Sequence, residues 1–194
     1  STNGAIQESQ HVFIQSGLQQ LEINEVAILE IGFGTGLNAL LTYINKGNKT
    51  IFYHGIEKFP VKMEIIKQLN YQNIHPISNN QFYLNLHNSD WDTPIRLDDS
   101  FTLLKTLSDF RELKLNRNYN LVYFDAFGPD KQPDLWTNEV FNSIYKVMDP
   151  DSILVTYCAK GEVRRSLQSI GFTVERIPGP PGKREMLRAR KNSF

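Results

Sequence analysis

Ala27-Ile28-Leu29-Glu30-Ile31-Gly32-Phe33-Gly34-Thr35-Gly36-Leu37-Asn38 runs from an apolar segment through an acid into three alternate glycines and on into a helical pattern. A strand ending in such a loop lets backbone N–H groups approach a ligand closely, because glycine puts no side chain in the way. The dinucleotide fingerprint G-x-G-x-x-G requires glycine at position 37, where Leu37 stands. The loop therefore predicts a nucleotide-like ligand other than NAD at the end of a first strand.

The 194 residues suffice for a sizeable core and predict one domain over residues 1–194, with a helical lead-in over about 1–24. No apolar stretch approaches the ~20 residues of a transmembrane helix and no signal peptide is visible, so no membrane partner is expected. The single Cys158 excludes an internal disulfide and a multi-cysteine metal site, which predicts a reducing, cytoplasmic setting. The chain opens with Ser1, as a processed or trimmed N-terminus would. The 21 basic and 21 acidic residues cancel, but from Lys160 onward nine Lys/Arg face three acids, leaving +6 there and −6 over residues 1–159. Such asymmetry fits a surface that meets nucleic acid, or equally a solvated helix face followed by a frayed tail.

Strand and helix patterns alternate, as a doubly wound α/β sheet requires. Residues 5–20 read as a lead-in helix, Ala27–Ile31 as the first strand and about Leu37–Ile44 as its helix. Ile51–Glu57 is the second strand, and Pro60 suits the start of a helix over Val61–Leu69. Residues 70–99 carry little pattern beyond the apolar anchor Phe82, Tyr83, Leu84 and Leu86. Ser100–Leu107 reads as the third strand with a helix opening at Ser108-Asp109, and Asn120–Phe124 as a buried strand ending in Asp125. A helix over Trp136–Val147, a strand over Ser152–Tyr157 and a helix over Val163–Ile170 closed by Gly171 follow. Phe172–Ile177 and Glu185–Ala189 form a final pair joined by Pro178-Gly179-Pro180-Pro181-Gly182. The sum is a seven-stranded, mostly parallel sheet with an antiparallel terminal strand.

Glu30-x-Gly32-x-Gly34-x-Gly36 resembles the first motif of class I S-adenosylmethionine (SAM) methyltransferases, a Rossmann-like fold. Glu57 closes the second strand, where a carboxylate can accept hydrogen bonds from two vicinal ribose hydroxyls. Its alternative is a surface acid paired with Lys58 or Lys62. Asp109 follows the third strand, where class I enzymes often place an acid near the adenine amino group. Ser108 and Asp109 serve equally as helix N-caps, and Asp98 or Asp99 compete for the adenine role.

Asp125-Ala126-Phe127-Gly128-Pro129 lies beside the topological switch point and resembles a relaxed Asp/Asn-Pro-Pro-aromatic loop of methyltransferases that act on amino groups. A carboxylate at Asp125 can accept an amine N–H, orienting the nucleophile or taking its proton. The alternative is an acid that caps the loop. Trp136, Tyr157 and Phe127 are candidate stacking surfaces for a base, against the commoner role of such aromatics in the core. Arg164 and Arg165 mark a basic helix face, and Lys183 and Arg184 leave a stiff Gly-Pro-Pro-Gly loop toward expected phosphates; that loop reads otherwise as a plain connector.

Asp125 through Trp136 (DAFGPDKQPDLW), Thr156 through Arg165 (TYCAKGEVRR) and Gly179 through Met186 (GPPGKREM) together resemble the MnmC/MnmD-type methyltransferases, as does Glu8-Ser-Gln-His11-Val-Phe13. The resemblance covers nearly the whole chain, least well between the second and fourth strands. It implies SAM-dependent methylation of the 5-aminomethyl group of a wobble (2-thio)uridine in tRNA, giving 5-methylaminomethyl-2-thiouridine. Glu30, Gly32, Phe33, Gly34, Thr35, Gly36, Asn38, Glu57 and Asp109 would form the cofactor side, with Asp125 as the catalytic residue. Phe127, Pro129, Trp136, Arg164, Arg165, Lys183 and Arg184 would meet tRNA. No metal is expected, because a sulfonium already activates the methyl. Bifunctional members add an FAD-dependent oxidase, and no second glycine-rich fingerprint precedes Phe194. The expectation is a stand-alone methyltransferase whose aminomethyl substrate another enzyme supplies. A polyamine aminopropyltransferase, a small-molecule amine methyltransferase and a non-catalytic SAM- or RNA-binding module are the rivals on this fold.

Overall fold

A computed structural model describes residues 2–69, 71 and 79–193. Its eight strands are β1 Glu25–Ile31, β2 Thr50–Glu57, β3 Ile95–Asp98, β4 Phe101–Leu107, β5 Tyr119–Phe124, β6 Met148–Thr156, β7 Phe172–Pro178 and β8 Glu185–Lys191. They form one sheet in the order β3-β4-β2-β1-β5-β6-β8-β7. β4, β2, β1, β5 and β6 run parallel, while β8 pairs antiparallel with both β6 and β7. The antiparallel terminal strand is as predicted. The sheet has one strand more than expected, because β3 folds back antiparallel on β4 as a short edge hairpin.

The helices are α1 Thr2–Ser9, α2 Leu37–Asn45, α3 Met63–Gln68, α4 Asn79–Asn88, α5 Asn138–Lys146 and α6 Gly161–Ile170. α1 runs directly into a π-helical turn over Gln10–Gln15 that buries Val12, Phe13 and Ile14. Strand side chains alternate between the two faces, and both faces are covered. Val26, Ile28, Tyr53, Leu121, Tyr123, Ile153 and Val155 point into one core with the N-terminal segment, α2 and α4. Leu29, Ile31, Ile56, Val122, Phe124 and Leu154 point into the other with α5 and α6.

Several boundaries differ from expectation: β6 begins at Met148 and not Ser152, α3 at Met63 and not Val61, and the lead-in helix expected over residues 5–20 divides into α1, the π-helical turn and a 3-10 turn over Leu18–Gln20. Ser108-Asp109 opens only a 3-10 turn over Phe110–Glu112, because Asp109 spends its carboxylate on Arg111. The helix predicted from Trp136 starts two residues later, at Asn138, with Thr137 accepting the Val140 N–H as its cap. Within the poorly patterned 70–99 region lie α4 and β3; positions 70 and 72–78 fall outside the described residues. Strand order reverses between β1 and β5, so the loops after β1, β2 and β5 open on one crevice.

Candidate active site

That crevice holds a cavity of about 730 Å³. On its first wall the N–H groups of Gly32 and Phe33 both donate to the Ile56 carbonyl, at 3.0 and 3.1 Å, stitching the glycine loop to β2. Gly32 has φ +91°, and a Cβ there would stand 2.7 Å from the Asp125 carbonyl oxygen. The loops after β1 and β5 thus touch backbone to backbone, which only glycine permits. At Gly34, φ +51°, the nearest atom to the place of a Cβ is 4.0 Å away, so the loop leaves an open cradle on the cavity wall.

Glu57 faces that cradle. Its Oε2 accepts the Gly34 N–H and its Oε1 the Phe59 N–H, each at 2.9 Å. Each oxygen keeps a second lone pair, the arrangement two vicinal hydroxyls require.

At the far side, the Asn38 amide nitrogen donates to Glu30 Oε1 at 2.7 Å and to Asp125 Oδ2 at 2.9 Å. The Tyr53 hydroxyl donates to Glu30 Oε2 at 2.7 Å. Burial and the neighbouring Asp125 charge hold the Glu30 carboxyl well above the usual range, against the pull of its two hydrogen bonds. Burial pushes Asp125 up to about 7, opposed by the Asn38 hydrogen bond; Glu8 pushes the same way as burial and Lys183 against it. A carboxyl poised near 7 can accept a proton at neutral pH and return it.

A family model described as S-adenosyl-L-methionine-dependent methyltransferase matches residues 64–192. The chain belongs to this family. S-adenosylmethionine is accordingly the methyltransferase's cofactor. The chain is 31% identical over 199 residues to the tRNA 5-methylaminomethyl-2-thiouridine biosynthesis bifunctional protein MnmC of Campylobacter hominis, covering 95% of this chain and 28% of that protein. It is likewise 31% identical over 209 residues to the protein of the same name from Idiomarina loihiensis, covering 96% of this chain and 34% of that one. The chain therefore spans about a third of the length of these relatives. Among solved structures, MnmC2 from Aquifex aeolicus superposes with a TM-score of 0.72 at 24% identity, over 98% of this chain and 61% of that one, which shows the shared fold.

In this methyltransferase the cofactor-side expectations divide. Gly32, Phe33, Gly34, Thr35, Asn38, Glu57 and Asp109 line the cavity. Glu30 does not; it is buried and accepts the Asn38 amide, which itself lines the cavity. Gly36 is also off the cavity wall: it is the left-handed N-cap of α2, roofed by Leu86 and His87. Asp109 borders the cavity, but Oδ1 takes the Arg111 N–H and Nε while Oδ2 takes Arg111 and Lys58. Those cations hold the carboxyl far below the usual range and occupy the lone pairs an adenine amino group would need. Asp98 and Asp99 lie at the opposite end of β4, bonded to Ser100 and Arg96, so neither reaches the site.

On the acceptor side, Phe127 is 71% exposed on the cavity rim, and Phe59, missed in the sequence, is 73% exposed there too. Trp136 is not a stacking platform. It is buried edge-on against Phe124 and donates its Nε1–H to the Phe127 carbonyl at 2.8 Å, so it shapes the loop from behind. Pro129 lies in the same loop, off the cavity. Lys183 is ion-paired with Glu8 and sits 4.2 Å over the Tyr157 ring. Arg184 is exposed and lines a shallow groove of about 420 Å³ with Tyr157, Lys160 and Lys183. Arg164 is half-buried and Arg165 folds its guanidinium over Gly161 at the start of α6.

Two supports went unread. Tyr83 and His87 of α4 both reach the Thr35 carbonyl, at 2.9 and 3.0 Å, bracing the glycine loop. Gly55 clears space for the Phe33 ring, which would meet a Cβ at 2.2 Å. Among the described residues no cluster of three His, Cys, Asp or Glu could hold a metal ion, and no helix is long and apolar enough to cross a membrane.

Proposed function

We propose that the chain methylates the 5-aminomethyl nitrogen of a wobble (2-thio)uridine in tRNA, giving 5-methylaminomethyl-2-thiouridine. The observation that carries this is Asp125, a carboxyl raised to about 7 in the same cavity as the Gly34 cradle. The names of the Campylobacter and Idiomarina relatives supply the substrate class. The methyl donor fits the residues present: the open place beside Gly34, the paired oxygens of Glu57 for ribose, and a buried Asn38 Oδ1 that has no partner among the described residues. Bound SAM supplies a methyl on a positively charged sulfur, whose transfer to an amine lone pair leaves a neutral thioether.

The chain's own work is to aim and deprotonate the acceptor. An alkylammonium ordinarily titrates near 10, so at neutral pH its lone pair is hidden by a proton. Asp125 takes that proton and keeps its second oxygen as an acceptor for an N–H. Phe127 and Phe59 offer exposed ring faces at the mouth to a base turned out of its stack. The groove lined by Lys160, Lys183 and Arg184, with one acid, Glu185, among them, offers the flanking phosphates three cations, and Arg165 is exposed on α6. The setting is cytoplasmic, where tRNA and a reduced Cys158 are both found, and a separate enzyme supplies the aminomethyl nucleoside.

The test is incubation with labelled SAM and tRNA lacking the terminal methyl, followed by digestion and nucleoside identification. Label in the wobble nucleoside is expected. Label in a polyamine or another small amine, with none in the tRNA, would overturn the assignment.

A further inference from the structure

Glu8 and Lys183 flank the cavity, and Lys183 also lines the groove that would take the flanking phosphates. Glu8 lies near the end of α1 and lines the cavity, while Lys183 lies in the loop between β7 and β8. Their side chains form an ion pair in which both remain between a third and two-fifths exposed, at 37% and 39%. Lys183 stacks over Tyr157, whose hydroxyl donates to the Ala126 carbonyl at 2.7 Å, one residue past Asp125. His11 Nε2 lies 2.8 Å from the Pro178 carbonyl, so a second contact ties the same two segments together. Asp125 senses both members of the pair, Glu8 opposing its ionisation and Lys183 favouring it.

A carboxylate satisfied by a single cation retains acceptor lone pairs, and here they stand on the wall of the cavity that holds Asp125. Building on the tRNA-amine reading, we propose that Glu8 is a second acceptor-positioning residue that makes the site selective for primary amines. A neutral primary amine carries two N–H groups and one lone pair. With one N–H given to Asp125 and the other to Glu8, only the lone pair is left to face the methyl. The proton balance closes: the ammonium gives one proton to Asp125, the nitrogen gains a methyl and regains a positive charge, and the secondary ammonium departs while Asp125 releases its proton to water. Lys183 offsets the Glu8 charge, so that two carboxylates do not trap the acceptor as its ammonium. A secondary amine in its neutral form has a single N–H and leaves one of the two acceptors unpaired. The site therefore stops after one methyl.

The experiment compares wild type, Glu8→Ala and Glu8→Gln on two tRNAs, one carrying the primary aminomethyl group and one already carrying the methylaminomethyl group. Affinity for each is measured by fluorescence anisotropy without methyl donor, and single-turnover products are identified by nucleoside mass spectrometry. Glu8→Ala is expected to lose roughly 10- to 100-fold in kcat/KM on the primary amine with SAM affinity and Tm unchanged. Its preference for primary over secondary amine falls about ten-fold, and dimethylated nucleoside appears. Glu8→Gln keeps an oxygen acceptor and restores most of the preference. An unchanged preference in Glu8→Ala, or a Glu8→Gln no better than Glu8→Ala, overturns the Glu8 assignment alone. A wild-type enzyme that leaves the aminomethyl tRNA unmethylated overturns that assignment and the proposed function together.

Discussion

Replacing Asp125 with asparagine should abolish turnover and yet stabilise the protein above neutral pH. The folded carboxyl titrates at about 7 instead of 3.8 because it is buried, with the Glu8 charge adding to the rise against the Asn38 hydrogen bond and Lys183. Between those values the unfolded chain has released the proton and the native state still holds it, so stability falls as pH rises through the window. Each unit corresponds to about 1.4 kcal/mol, so two units between pH 5 and pH 7 amount to about 3 kcal/mol. Asparagine keeps the shape and an oxygen for the Asn38 amide but has nothing to ionise, and removing the charge also relieves Glu30. The assay is urea unfolding at several pH values from 5 to 8 at fixed ionic strength. The variant's advantage over wild type should widen by about 3 kcal/mol across that range, equivalent to roughly 6–12 °C in Tm for a chain of this size. Parallel stability curves for the two proteins would show that Asp125 does not titrate near neutrality, and the proton-acceptor role would fall with it.

Asn38→Ala removes one donor from Asp125 and should move the acid limb of the kcat/KM profile upward by about one unit from about 7; a stationary limb would rule out Asp125 as the titrating group. Gly32→Ala drives a Cβ to 2.7 Å from the Asp125 carbonyl at φ +91° and should cost about 2 kcal/mol or more in urea unfolding, where a change under about 0.5 kcal/mol would refute the close approach. Glu57→Ala should weaken SAM binding by roughly 10- to 100-fold by calorimetry and leave tRNA affinity intact; equal losses for both would remove it from the ribose site. Arg184→Ala should lower the slope of log affinity for tRNA against log salt by about one, and an unchanged slope would take Arg184 off the phosphate path.

What the sequence made legible follows from the range of the interactions involved. β1, the glycine loop and α2 are contiguous, so an apolar run, positive-φ glycines and a helical pattern record them directly. Asp125 and Glu57 were readable because each sits at the end of a buried strand, where polarity changes abruptly. Trp136 misled because a tryptophan that packs on Phe124 is written the same way as one that stacks a base. Asp109 misled because its partners, Arg111 and Lys58, are chosen by the turn after β4 and by the neighbouring strand. The bracing of Thr35 by Tyr83 and His87 spans 48 and 52 residues, and nothing local to α4 announces it. Glu30 shows a subtler limit: its place in the motif was visible, while its role under the loop depends on Tyr53 and Asn38.

The contact between Glu8 and Lys183 joins positions 175 apart in the chain, and that between His11 and Pro178 joins positions 167 apart. Contacts that span so much of the chain raise its contact order, which slows folding more than it costs stability. On the ribosome, the glycine loop, β2 and Asp125 are all made well before Lys183 emerges. The cofactor-side residues are thus all synthesised before the wall formed by Glu8 and Lys183 is complete. Until Lys183 is made, Glu8 has no cation to offset its charge on the cavity wall.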